Sequence, residues 1–217
     1  MRIRNTARAV SVALTLGLGV SACGGGDVDE PRFVGAEKVC DSVFSGDDTA
    51  AVVERAIGDT SFFATGAGAL DRVATAVKDV YADGQDVYRG QKFCSVKGEK
   101  SGSGEMDISF GLYKPEDALS DRHSATQRPY ELGKRALAGT KNSSLYFECA
   151  SPRLDGSDKE AARILGGLSY SDRELEGTRA EQEANLTALY AASLALAKKL
   201  ECEDNAGLPT KVVLQPK

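Results

Sequence analysis

The chain is poor in the side chains that most often build metal and sugar sites. It has no tryptophan and one histidine, and only 6% of its 217 residues are aromatic. One histidine cannot supply the ligands of a multi-histidine metal site. Glycosidases tend to present aromatic surface to the sugar, and aromatic rings supply much of the contact area at binding sites. These shortages argue against both classes of site.

Positive charge is also in short supply. The chain carries 27 lysine and arginine residues against 32 aspartate and glutamate residues, which gives a net charge of −5. Nucleic-acid binding depends on basic side chains that neutralise phosphates. The composition therefore argues against a nucleic-acid partner.

The N-terminus lacks an apolar run long enough for a membrane span, which needs roughly 20 residues. Its apolar and small-residue stretch, residues 9–20, follows Arg2, Arg4 and Arg8 and precedes Ser21-Ala22-Cys23. A basic region, a short apolar region and a small-residue processing site are together typical of an export signal. We therefore predict a signal peptide over residues 1–22.

The residues Val20-Ser21-Ala22-Cys23 resemble the lipobox of bacterial lipoproteins. The resemblance implies that cleavage precedes Cys23 and that its thiol carries diacylglycerol, with acyl chains such as palmitate. Two acyl chains hold a protein stably on a membrane. The alternative is an ordinary secretory signal that happens to be followed by cysteine. We expect a lipidated flexible tether over residues 23–35, on the extracytoplasmic face of the cell membrane.

Loss of the signal peptide makes the chain more acidic. The three arginines leave with it, so that 24 basic and 32 acidic residues remain and the net charge becomes −8. Such a charge argues against a basic patch that holds the domain on anionic lipid. The remaining residues, 36–217, are enough for one domain with a hydrophobic core.

Four cysteines remain beyond Cys23, namely Cys40, Cys94, Cys149 and Cys202. An even number in an exported chain indicates disulfides. Four cysteines allow three pairings, and we predict the sequential one, Cys40–Cys94 and Cys149–Cys202. Four reduced buried cysteines are the alternative. A zinc site is disfavoured because no two cysteines have the two-to-four-residue spacing of zinc ligands.

Hydrophobic periodicity predicts a single α+β domain in which helices pack on an antiparallel sheet. The clearest strand is Glu105–Tyr113, where apolar and polar residues alternate. The strongest helix follows Thr178, which forms a capping box with Glu181 and leads into a long apolar stripe. Two earlier helices are predicted, one capped by Asp47 or Asp48 and ending at Gly58, and one over 68–82. Further strands are predicted over 91–96, 132–138, 145–149 and 211–214. Residues 161–170 are an ambiguous candidate for another strand, and 114–129 is predicted to be a surface loop.

No residue pattern indicates catalysis. His123 lies in a serine- and aspartate-containing loop, but a catalytic triad requires a particular geometry, and we interpret His123 as exposed. The pairs Glu116/Asp117, Asp47/Asp48 and Glu203/Asp204 are interpreted as caps and solvated charges rather than glycosidase carboxylates. The run Lys97–Gly104 lacks the spacing of a phosphate-binding loop and is predicted to be a hairpin turn.

Local motifs resemble small cell-envelope lipoproteins of actinobacterial type, most of which have no assigned function. The motifs are the lipobox at Cys23, Glu37–Cys40, Leu145–Cys149 and Cys202–Pro209. No catalytic or ligand residue carries over from this resemblance. The predicted anchor, the tether and the lack of a catalytic constellation lead us to expect a non-catalytic binding or interaction module, with no cofactor or metal, whose partner is an envelope protein or glycan. The alternatives are a small-ligand carrier or sensor, with a pocket between the last helix and the sheet, and a cell-wall hydrolase.

Overall fold

A computed structural model describes residues 32–84, 88–119, 126–171 and 176–217. All of them belong to one compact unit, Pro31–Lys217. The predicted signal peptide, Cys23 and His123 lie outside the described residues.

The domain is α+β, as predicted, and its centre is a six-stranded antiparallel sheet. Alternating burial along the strands puts one face of the sheet against the helices, which is the pattern of a half-buried antiparallel strand. The spatial order is β3-β4-β8-β7-β6-β5. The strands are β3 (Tyr88–Lys97), β4 (Glu105–Leu112), β5 (Gln127–Tyr130), β6 (Arg135–Gly139), β7 (Asn142–Cys149) and β8 (Ala162–Ser171).

The chain reaches this order by one long crossing. After the β3–β4 hairpin the chain leaves the sheet from β4, next to one edge, and re-enters at the opposite edge as β5. It then returns strand by strand, so that β8 fills the position between β4 and β7. Part of the crossing segment is the short helix α3 (Pro115–Leu119).

Three further helices, α1 (Asp47–Ile57), α2 (Ala69–Ala82) and α4 (Arg179–Lys199), build the helical side of the domain. α2 contacts β3 and β4, whereas α4 contacts β6, β7 and β8, and α1 packs on α4. Because α4 has a sheet on one side and helices on the other, it is buried well beyond the predicted stripe. Ala188 and Ala192 have no exposed surface, like Leu189 on the stripe.

The start of the domain forms a small ribbon of its own. β1 (Phe33–Val34) pairs antiparallel with β2 (Phe62–Phe63). Phe62 is fully buried and forms a bridge to Gly98 beyond the end of β3. Phe33 and Val34 fall within the segment predicted as tether, and in the structure they belong to the folded unit.

Two helix ends predicted from the sequence are found in the structure, namely the start of α4 at Thr178 and the end of α1 at Gly58. The predicted start of α1 is not. The capping box of α4 is present. The Thr178 side chain accepts a hydrogen bond from the Glu181 backbone amide, and the Glu181 side chain accepts one from the Thr178 backbone amide. Gly58 ends α1 in the left-handed conformation with φ 79°, where glycine is unstrained. The residue before α1 is Gly46 and makes no side-chain cap, so the prediction of Asp47 or Asp48 as the cap was wrong.

The structure corrects the predictions for 114–129 and 211–214, and it decides the ambiguous stretch 161–170 in favour of a strand. The stretch predicted as a loop over 114–129 contains α3 and the start of β5. The ambiguous stretch 161–170 is β8, in the interior of the sheet. The predicted strand 211–214 is an extended tail, which meets the sheet through a bridge between Tyr130 and Pro216. That tail covers part of the β5 edge, whose free backbone groups would otherwise invite pairing with another chain.

Two disulfides link the helical side to the sheet, and they confirm the sequential pairing. Cys40 bonds to Cys94 in β3, with 5.4 Å between the Cα atoms. Cys149, at the end of β7, bonds to Cys202 just after α4, with 5.0 Å between the Cα atoms. All four residues are at least nine-tenths buried.

Candidate functional site

A cleft of about 370 Å³ opens where the C-terminal end of α2 meets the end of β4 and the start of β8. Its size falls within the range of roughly 300–1,000 Å³ that is typical of small-molecule sites. Three parts of the chain supply its walls: the end of α2, the residues at the end of β4, and the loop that leads into β8. The lining residues are Tyr81, Ala82, Gly84, Leu112, Tyr113, Asp155, Glu160, Ala161 and Arg163.

Tyr113 forms the inner wall, and its position follows from the alternation along β4. Phe110 and Leu112 point to the helices and are buried, so Tyr113, the next residue, belongs to the opposite face. Its ring meets that of Tyr146 edge to face, with 5.0 Å between the centroids. Its backbone amide donates to the carbonyl oxygen of Arg163, at 3.1 Å.

The Tyr113 hydroxyl is unusual because it is buried without a described hydrogen-bond partner. The residue is 2% exposed, and its hydroxyl has no hydrogen-bond partner among the residues that the structure describes. Burial, reinforced by the negative charge of Glu148, raises the pKa of Tyr113, so the phenol stays neutral. A buried donor without a partner costs about 1–3 kcal/mol. Buried polar groups without a partner are expected at functional sites more than elsewhere.

The outer wall carries opposite charges. The Arg163 guanidinium Nη1 lies 3.0 Å from the Glu160 carboxylate Oε1. The Tyr81 hydroxyl donates to the Glu160 carbonyl oxygen, and burial raises the pKa of Tyr81. Asp155 adds a second carboxylate. One guanidinium with two carboxylates favours a ligand that is neutral and polar or carries positive charge.

The lining of the cleft combines two tyrosines with charged side chains. None of its lining residues is a serine, cysteine or histidine. Within the described ranges no three histidine, cysteine, aspartate or glutamate side chains form a group that could hold a metal ion. The partly exposed Tyr81 ring and the charged side chains beside it are the kind of apolar and polar surface found in many small-molecule sites.

The residues singled out from the sequence do not meet at this cleft. Glu116 and Asp117 lie in α3, where Asp117 accepts from the Lys114 amide at 3.1 Å. Asp48 is exposed in the first turn of α1, and Glu203 and Asp204 are exposed after Cys202. Gly98, Gly102 and Gly104 lie in the β3–β4 turn, as predicted.

Sequence reasoning missed the cleft because its walls come from distant parts of the chain. The alternation along Glu105–Tyr113 does place Tyr113 on the face away from the core. Nothing in that pattern shows that residues 155–163 lie beside it. The predicted pocket between the last helix and the sheet is instead filled by core side chains, among them Leu186, Leu189 and Leu196, all without exposed surface.

Fold and covalent structure define a disulfide-linked α+β domain of extracytoplasmic type, since disulfides persist in oxidising compartments. Comparison of the chain with protein-family models, curated proteins and solved structures found no match. Among the described helices, none combines the length and the apolar character that crossing a bilayer requires.

Proposed function

We propose that the protein is a membrane-anchored extracytoplasmic lipoprotein whose domain binds a partner or ligand without catalysing a reaction. The observation that carries the binding function is the cleft bounded by Tyr81, Tyr113 and Arg163. The two disulfides support an extracytoplasmic location, because disulfides between buried cysteines persist in oxidising compartments. The N-terminal pattern that ends at Cys23 supports the anchor.

The ligand that fits this cleft is a neutral or cationic polar group with hydrogen-bond acceptors. The partly exposed ring of Tyr81 can stack on a flat apolar surface of the ligand, and the charged rim satisfies its polar atoms. The Tyr113 hydroxyl is enclosed, so a ligand reaches it only when the wall side chains shift. A glycan unit or a peptide side chain from the cell envelope meets this description.

Thermal shift measurements on the mature domain test the binding function. A ligand that binds only the folded state raises the melting temperature. Mono- and disaccharides, amino acids and short peptides are the probes. We expect at least one of these classes to stabilise the wild type in proportion to its concentration.

A matched pair of variants locates the binding. Ala82 lines the cleft and is exposed on α2, whereas Ala51 is exposed on α1 and does not line it. Ala82→Tyr should abolish the stabilisation by the probe, and Ala51→Tyr should retain it. Equal stabilisation of both variants, or none in the wild type, would contradict the proposal.

Intact-mass analysis of the protein made in a bacterial host tests the anchor. We expect a mature chain that begins at Cys23 and carries diacylglycerol. The Cys23→Ser variant should not be lipidated and should leave the membrane fraction. A wild-type chain that begins elsewhere would overturn the anchor and leave the cleft unaffected.

A further inference from the structure

The β1–β2 ribbon exposes an aromatic pair at the start of the domain. Phe33 and Phe63 are register partners, and their ring centroids are 4.9 Å apart. Each is 37% exposed, although phenylalanine is a residue that folding normally buries. Phe62, the neighbour of Phe63, points inward and has no exposed surface. The ribbon is therefore held by the core on one side and presents two rings on the other.

The stretch of chain around Phe63 is short of charge. In a chain with 27% charged residues, the stretch 60–70 contains none. Ala64, whose amide donates to the Arg32 carbonyl oxygen at 2.9 Å, is exposed beside the pair. The only charged side chain adjoining Phe33 or Phe63 in sequence is that of Arg32, which is basic. Two adjacent exposed aromatic rings beside a basic residue form a surface that can enter the interfacial layer of a bilayer.

Chain length limits which faces of the domain can meet the membrane. Phe33 is ten residues beyond Cys23, and a flexible chain of that length has an end-to-end distance of roughly 17 Å. A domain of this size has a diameter of about 40 Å. Even fully extended, ten residues span at most roughly 36 Å, which is still less than the diameter of the domain. The face where the tether enters, which carries Phe33, is held nearest to the lipid.

We propose that Phe33 and Phe63 insert into the interfacial layer of the bilayer that holds the Cys23 acyl chains. The proposal rests on the lipidation included in the proposed function. It gives the anchored domain one preferred orientation, with the ribbon toward the lipid. The far edge of the sheet, where the C-terminal tail pairs with β5, then faces away from the membrane.

The absence of tryptophan makes a direct test available, because Phe63→Trp introduces a single reporter. The lipidated full-length mature protein is reconstituted into phosphatidylcholine vesicles with and without brominated acyl chains. We expect brominated lipid to reduce the Phe63→Trp emission at least twofold. Phe33→Trp, at the register partner, should show the same loss and serves as a second reporter if Phe63→Trp does not fold.

The control is Val213→Trp, in the C-terminal tail. Val213 is 65% exposed and lies on the segment that pairs with β5, at the opposite sheet edge from β3. Its emission should be the same in brominated and ordinary vesicles. Equal quenching at positions 63 and 213, or none at 63, would overturn the proposal. So would a blue-shifted emission at 63 that depends on protein concentration and not on bromination, since that indicates a second copy of the chain.

Flotation of the vesicles separates this inference from the proposed function. If the wild type floats with the vesicles and Phe63→Trp is not quenched, the anchor stands and the orientation is wrong. If the wild type does not float, the lipid anchor fails and the orientation fails with it.

Discussion

The buried carboxylate of Asp59 lies 3.1 Å from the exposed ammonium group of Lys100. Asp59 also accepts hydrogen bonds from the backbone amides of Lys100, Thr60 and Ser61, at 2.7, 2.8 and 3.3 Å. The Asp59 side chain thus links the loop after α1 to the β3–β4 turn. Burial alone would raise the pKa of Asp59, but the bonds from Lys100, Thr60 and Ser61 lower it from 3.8 to about 2.

Asp59→Asn should destabilise the domain near neutral pH. A pKa lowered by this amount corresponds to roughly 2 kcal/mol of stability. The contribution is present above the unfolded pKa of 3.8 and is lost as pH falls toward the folded pKa of about 2. Urea unfolding at pH 7 and at pH 2 measures the difference between wild type and variant. A difference that persists at pH 2 would contradict this account.

Lys100→Ala is the control for Asp59. It removes the ammonium group but keeps the backbone amide that Asp59 accepts from. Because the ammonium is exposed, its loss should cost less than about 1 kcal/mol. A cost equal to that of Asp59→Asn would mean that the ion pair, and not the backbone bonds, stabilises the turn.

Two buried tyrosines should respond oppositely to removal of the hydroxyl. The Tyr130 hydroxyl donates to the Glu183 carboxylate at 2.9 Å, whereas that of Tyr113 has no partner among the described residues. Because the Tyr130 hydroxyl bonds to a charged group, Tyr130→Phe should cost about 1.5–3 kcal/mol, whereas Tyr113→Phe should be neutral or stabilising. Urea unfolding of the two variants tests this. A Tyr113→Phe variant as destabilised as Tyr130→Phe would show that the Tyr113 hydroxyl is bonded in solution.

Two adjacent glycines of β8 should differ in their tolerance of a methyl group. A Cβ atom at Gly166 would lie 3.0 Å from Phe110 and Ser193 side-chain atoms, beneath α4. At Gly167, on the other face, the nearest atom would be Ser109 Oγ at 3.6 Å. Gly166→Ala should cost about 1–3 kcal/mol through overpacking, and Gly167→Ala should be nearly neutral. Thermal unfolding of both variants measures the contrast, and equal melting temperatures would refute it.

Removal of either disulfide should strongly destabilise the domain. The bridges close loops with sequence separations of 54 and 53 residues, each worth about 4 kcal/mol on the chain-entropy model. Cys40→Ala with Cys94→Ala, and Cys149→Ala with Cys202→Ala, remove one bridge each without burying a new polar group. We expect similar losses from the two double variants in urea unfolding. A loss below about 1 kcal/mol in either would show that its loop is already restricted in the unfolded chain.

The sequence by itself determined the features that depend on neighbouring residues. The alternation over 105–113 identified β4, and Thr178 with Glu181 marked the start of α4, because period and capping are local properties. Gly58 likewise marked the end of α1. The number of cysteines indicated two bridges, although their pairing was only one of three possibilities until the structure brought the partners together.

Only the tertiary structure decided what depends on distant partners. Residues 161–170 have two glycines at their centre and too weak a pattern to identify a strand, yet β8 lies inside the sheet because β4 and β7 supply its hydrogen bonds. The burial of Asp59, the enclosure of the Tyr113 hydroxyl and the exposure of Phe33 beside Phe63 likewise arise from packing. Sequence periodicity specifies the face of a residue within its own element, whereas packing specifies what lies against that face.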